Sequence, residues 1–198
     1  KFSTSVAIHI VVEEGAKAQY EYVRENASQA NMRFVSSDVH FGGYFSVAEY
    51  ISYAGLHMSA FRADLLGEGA AAKMYGIFFG NTGDAYDIST ESYHSAPHTF
   101  SETLSKGVLN GEAKAVHKSA IDIARAASKS EGYERQDTLL LSSSARIQAV
   151  PTLQIHTNDV RCSHGATVTR LRPEHLFYLL SRGCSREAAE KLFISGHV

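Results

Sequence analysis

Cys162 and His164, two residues apart near the C-terminal end, are the side chains best placed to do chemistry together. On an extended strand, residues at i and i+2 project to one face. A thiolate beside an imidazole offers two soft donors, suited to iron, zinc or a sulfur-bridged cluster. Two donors do not complete a metal site, so further ligands must come from elsewhere. A sulfur-accepting role for Cys162 needs a thiolate, and hence a lowered pKa. Arg161 is adjacent in sequence but falls on the opposite face of such a strand. The plainer alternatives are a small thiol packed in a core for Cys162 and a buried imidazole satisfied by a backbone carbonyl for His164.

Other polar residues carry weaker signals. His94 and His98 flank Pro97, which excludes a helical pair of zinc ligands. On a strand they would share a face, with His117 on a neighbouring turn of chain, and polar positions on a β-face explain them best. Glu131, Glu134 and Asp137 fall in a polar stretch that reads as a solvated loop. Cys184 reads as incidental. The sequence contains neither a phosphate-binding G-x-x-x-x-G-K-[ST] loop nor a Gly-x-Ser-x-Gly nucleophile elbow. ATP hydrolysis would therefore belong to a partner.

The elements that must position these residues are mostly strands. Segments 2–12, 19–24, 32–39, 44–53, 73–79 and 147–156 are rich in β-branched and aromatic residues. Turn signals such as Glu14-Gly15, Gly42-Gly43, Gly67-Glu68-Gly69, Asn81-Thr82-Gly83 and Asn110-Gly111 separate them. A turn, an alanine and an alternating strand recur at 14–18, 68–72, 111–115, 123–126 and 143–147. That irregular repeat fits a β-solenoid, although a β-sandwich with Gly-rich turns gives a similar pattern. After Arg170 the character changes. Pro173 opens a helical run that stops at Arg182-Gly183, and Ser185 caps a second helix ending near Gly196. The expected organisation is a strand-built body over 1–170 and a helical segment over 171–198.

With 198 residues, the chain is long enough to bury a full core. Its 19 basic and 21 acidic residues give a net charge of −2, so no basic surface for nucleic acid is implied. Apolar runs are too short for a membrane-spanning helix. Two cysteines, read as free thiols, fit a reducing cytoplasm. The chain starts at Lys1 without methionine and reads as a fragment of something longer.

The residues also resemble the SufB/SufD family of iron–sulfur cluster assembly scaffolds. The resemblance is continuous over 138–196 and is carried by Pro151-Thr152-Leu153-Gln154-Ile155, Asp159-Val160-Arg161-Cys162-Ser163-His164-Gly165-Ala166-Thr167 and Ser181-Arg182-Gly183. Looser matches reach upstream, at Leu66-Gly67-Glu68-Gly69-Ala70, His94-Ser95-Ala96-Pro97-His98-Thr99 and Lys106-Gly107-Val108-Leu109-Asn110-Gly111. Within the family the chain is similar to SufD-like members, because Gly165 follows His164 where SufB-like members tend to carry Glu. The cysteine that SufB-like members have upstream of Pro151 is also missing.

This resemblance implies a right-handed parallel β-helix followed by a short α-helical segment. It implies a non-catalytic scaffold that pairs with a SufB-like subunit through the end of the β-helix and contacts the SufC ATPase through its helical tail. His164, and with it Cys162, would face iron or a nascent cluster shared with that partner, with no cofactor held stably by this chain alone. In isolation the same end surface would form a homodimer. No motif marks a flavin site. Relatives usually continue past Val198, so part of the ATPase-contacting segment is expected to lie beyond it. The rival from another class is a β-helical enzyme, acting on polysaccharide through paired carboxylates or using a metal held by three converging ligands. The positions of His94, His98, His117 and His164 separate the two.

Overall fold

A computed structural model describes residues 4–25, 29–53 and 55–198. The chain passes alternately between two six-stranded parallel sheets. One sheet stacks β1 (Thr4–Val12), β3 (Asn31–Val39), β5 (Leu56–Leu65), β7 (Ala85–His94), β9 (Lys114–Ile123) and β11 (Arg146–Ile155), in that order. The other stacks β2 (Lys17–Glu25), β4 (Tyr44–Ser52), β6 (Ala71–Gly80), β8 (Phe100–Leu109), β10 (Glu131–Leu140) and β12 (Arg161–Arg170). Each odd–even pair is one turn of a β-solenoid of about six turns. Thr4 stands beside Asn31 and Lys114 beside Arg146, so one turn takes 27 residues early in the chain and 32 later. That drift explains why the sequence repeat looks irregular.

Alternation along each strand decides what fills the space between the sheets. In β4, Phe45, Val47, Glu49 and Ile51 point inward and are all buried. Phe61, Ala63 and Leu65 of β5 meet Phe45, Val47 and Met74 in one apolar cluster. Tyr86, Ile88, Leu109 and Leu140 belong to the next. The interior is not uniformly apolar, because Ser59, Thr90, Thr103, Ser105 and Ser119 are buried along the same inner faces.

The turns that close each coil explain the glycine punctuation. Gly15, Gly42 and Gly69 occupy equivalent corners at φ +64°, +60° and +71°, a left-handed conformation that costs glycine nothing. Each N–H donates to a carbonyl of the following turn: Gly15 to Phe41, Gly42 to Glu68 and Gly69 to Pro97. His98 and Lys129 continue the same column at φ +57° and +59°, donating to Ser128 and Asp159. His98 is thus an exposed corner residue and does not share a strand face with His94.

The strands end at Arg170 and are followed by α1 (Pro173–Ser181) and α2 (Arg186–His197). Pro173 sits in the first turn of α1, Gly183 follows it at φ +86°, and Ser185 Oγ accepts the Ala188 N–H at 3.2 Å to cap α2. Leu171, Leu176 and Ala189 form a small cluster with Leu141, Leu179 and Phe193. The end of α2 is fastened to the even sheet. His197 Nε2 lies 3.1 Å from the Gly107 carbonyl and 3.2 Å from that of Asp137, while Lys106 Nζ donates to the His197 carbonyl at 2.5 Å. No helix among the described residues is long and apolar enough to cross a membrane.

Candidate metal-facing site at the open end of the solenoid

Within the even sheet β12 is the last strand, and it pairs with β10 alone. The register sets Cys162 beside Gly132, His164 beside Glu134, Ala166 beside Gln136 and Val168 beside Thr138. All four β10 residues are buried and face the interior. Their β12 partners therefore belong to an inner face as well, but one that no further strand covers among the described residues. Cys162 is half-buried, while His164, Ala166 and Val168 are exposed. The i, i+2 spacing of Cys162 and His164 places both on this uncovered face. Arg161 falls on the other side, with Nη1 3.8 Å from Glu131 Oε1.

His164 opens onto a cleft of about 440 Å³ that Glu102, Thr103, Tyr133 and Glu134 also line. Glu134 is the residue that sequence reasoning missed. The solvated loop expected around Glu131, Glu134 and Asp137 is instead strand β10, and Glu134 is only 5% exposed. Its Oε1 accepts from Gln136 Nε2 at 2.7 Å and from Ser119 Oγ, but Oε2 is buried without a hydrogen-bond partner. Burial pushes the Glu134 carboxyl up from the usual carboxylate range. The bonds from Ser119 and Gln136 and the nearby His164 imidazole pull it partly back. The alternation Gly132-x-Glu134-x-Gln136-x-Thr138 was the available signal, masked by its polar composition.

Cys162 is free and half-buried, as is Cys184. Burial pushes the Cys162 thiol up, the Gly132 backbone hydrogen bond opposes this, and Glu131 adds to the rise. The site on its own therefore disfavours the thiolate that a sulfur acceptor or metal ligand requires. A thiolate at Cys162 would need a cation or another positive charge beside it.

The remaining histidines do not join this site. His94 is fully buried, with Nδ1 2.7 Å from Thr99 Oγ1 and Nε2 2.8 Å from Ser101 Oγ. His117 is also buried, edge-on to Phe78, and lines an internal cavity of about 20 Å³. The two lie on adjacent strands but far apart along them, since His94 pairs with Ile123 and His117 with Ile88. Among the described residues, no three His, Cys, Asp or Glu side chains converge to hold a metal ion.

Residues 1–197 match the family described as SUF system FeS cluster assembly, SufBD core domain. The chain belongs to the SufBD core family. Its similar relatives include iron–sulfur cluster assembly SufBD family proteins of Staphylococcus epidermidis (strain ATCC 12228 / FDA PCI 1200) and Staphylococcus haemolyticus (strain JCSC1435), each 27% identical over 195 residues. A protein of the same description from Staphylococcus aureus (strain USA300) is 26% identical over 195 residues. In each case the match covers 98% of this chain and 42% of the relative, so the chain spans less than half the length of these relatives. Within the SufBD core family, identity at this level does not separate SufB from SufD.

Proposed function

We propose that this SufBD core chain acts as a SufD-like scaffold in iron–sulfur cluster assembly, with iron or a nascent cluster as its cargo. The observation that carries the reading is the exposure of His164 on an inner solenoid face left uncovered at the C-terminal end. A neutral imidazole is a competent iron ligand near neutral pH. Cys162, two residues away on the same face, is a second donor, and the remaining ligands come from a partner chain. Val168 and Ala166 extend that face with apolar surface suited to a further coil of β-structure.

The partner fitting this description is a SufB-like subunit stacking on the open end, or a second copy of this chain when that subunit is missing. The helical tail, where Phe177 is 72% exposed, is the surface offered to a SufC-like ATPase. ATP-driven movement of that partner would rearrange the scaffold interface. Gly165 after His164 supports the SufD-like assignment over the SufB-like one.

The test is co-purification with SufB-like and SufC-like proteins from the same source. A stable complex is expected, and failure to form any complex sinks the proposal. A second arm replaces His164 by Ala. The complex should persist while cluster assembly in a strain lacking the wild-type gene fails; intact assembly would reduce the chain to a structural partner.

A further inference from the structure

The column of inner-face residues running along the even sheet is apolar at Val47 and Met74, then becomes polar at Thr103, Glu134 and His164. Glu134 is the unusual member. Among the described residues its Oε2 is the only buried carboxylate oxygen without a hydrogen-bond partner. Leaving such an atom unmatched is costly, and more so when the group is charged. The other oxygen is tied down twice, by Ser119 on the facing sheet and by Gln136 on the same strand. That arrangement fixes the plane of the carboxyl and leaves one oxygen uncommitted.

The group next along the column is His164, in register with Glu134 and lining the same cleft. Its imidazole is close enough to act on Glu134 electrostatically. Imidazole can complete the network in a way a hydroxyl cannot. One ring nitrogen donates its proton to the free oxygen, and the other keeps a lone pair for a ligand. Carboxylates that accept the second N–H of a metal-ligating histidine fix its tautomer and ring orientation and raise its basicity.

We propose that Glu134 is a positioning residue for His164: Glu134 Oε2 accepts the N–H of one imidazole nitrogen and so directs the other toward the open end of the solenoid. This inference rests on the reading of His164 as the metal-facing residue. It assigns the Ser119–Gln136–Glu134 network the task of holding a carboxylate still beneath an exposed ring. Thr103 is the competing donor within the cleft, and a Thr103–Glu134 bond would leave His164 unrestrained.

The experiment is ¹⁵N NMR of the histidine rings in the full chain at neutral pH, in wild type and in Glu134→Gln. Wild-type His164 should show a single tautomer, and Glu134→Gln should show a mixture. In the same samples, cobalt(II) titrated as a probe should bind His164 about 10–100-fold more weakly in Glu134→Gln. An aqueous-like tautomer mixture for His164 in wild type overturns the inference without recourse to any variant. So does an unchanged tautomer and cobalt affinity in a folded Glu134→Gln protein. A His164→Ala protein that binds cobalt as wild type does would sink the metal-facing reading instead, leaving the tautomer result to stand or fall separately.

Discussion

Glu49, on β4, and His57, on β5, meet at 3.3 Å between the two sheets with both side chains buried. Ser59 Oγ donates to the second carboxylate oxygen of Glu49 at 2.9 Å, so the acid is held from the facing sheet at both oxygens. Removing one member of such a pair leaves a buried polar group uncompensated, whereas replacing both by apolar residues removes the problem. We expect His57→Leu to cost about 3 kcal/mol and the double replacement Glu49→Leu/His57→Leu to cost less. Urea unfolding midpoints decide the matter. A double variant at least as unstable as the single would show that packing, not the lost partner, sets the cost.

Acid should weaken the fold through His94 and His117, whose pKa values burial pulls down to about 4 from 6.5. Above pH 6.5 both rings are neutral whether the chain is folded or not, and their contribution is constant. As pH falls from 6.5 toward 4, the unfolded chain takes up protons that the folded chain refuses, so stability drops. For each ring the loss approaches about 3 kcal/mol below pH 4. His117→Leu removes one titrating group whose Nε2 has no hydrogen-bond partner. The stability difference between pH 7 and pH 4.5 should then shrink by about 2–3 kcal/mol relative to wild type. Equal slopes for the two proteins would refute this account of His117.

Gly107 lies beside Phe78 on the inner face of the even sheet, and a Cβ added there would sit 2.2 Å from the ring. The ring is fully buried and can yield only into the small cavity it lines with His117. Gly107→Ala should therefore destabilise by about 1–3 kcal/mol through overpacking. Phe78→Leu opens the space, and the two changes together should cost less than the sum of their separate effects. Strict additivity in thermal or denaturant melts would mean that the backbone, not the ring, resists the methyl group.

Much of the architecture was legible because the corners speak through glycine. Gly15, Gly42 and Gly69 mark equivalent turns, and the strands between them carry ordinary apolar alternation. Legibility fades where the interior becomes polar. β5, β7, β8, β9 and β10 were absent from the strand reading, and most of them bury residues such as Thr90, Ser92, Ser101, Ser105 and Gln136 on their inner faces. Hydropathy cannot distinguish those from solvent-facing positions. The corner column also loses its glycine at His98 and Lys129, which hid the turns there.

The site was legible in part for the same reason. The spacing of Cys162 and His164 correctly placed both on one face. Nothing local announced that the carboxylate beneath His164 would come from a residue 30 positions earlier, because register between coils is a tertiary property. The burial that disfavours the Cys162 thiolate was equally invisible from its neighbours in sequence.

Because β12 has a ladder on one side only, its hydrogen bonds are shared with a single neighbour. In a stack whose units touch only the units beside them, the last one can fray alone. Amide exchange in 161–170 should consequently outpace that of the central coils, and the partner proposed above, if seated on that end, should slow it. A chain arranged this way can loosen its last strand while the rest stays folded, which gives the β12 edge a lifetime of its own, separate from that of the protein.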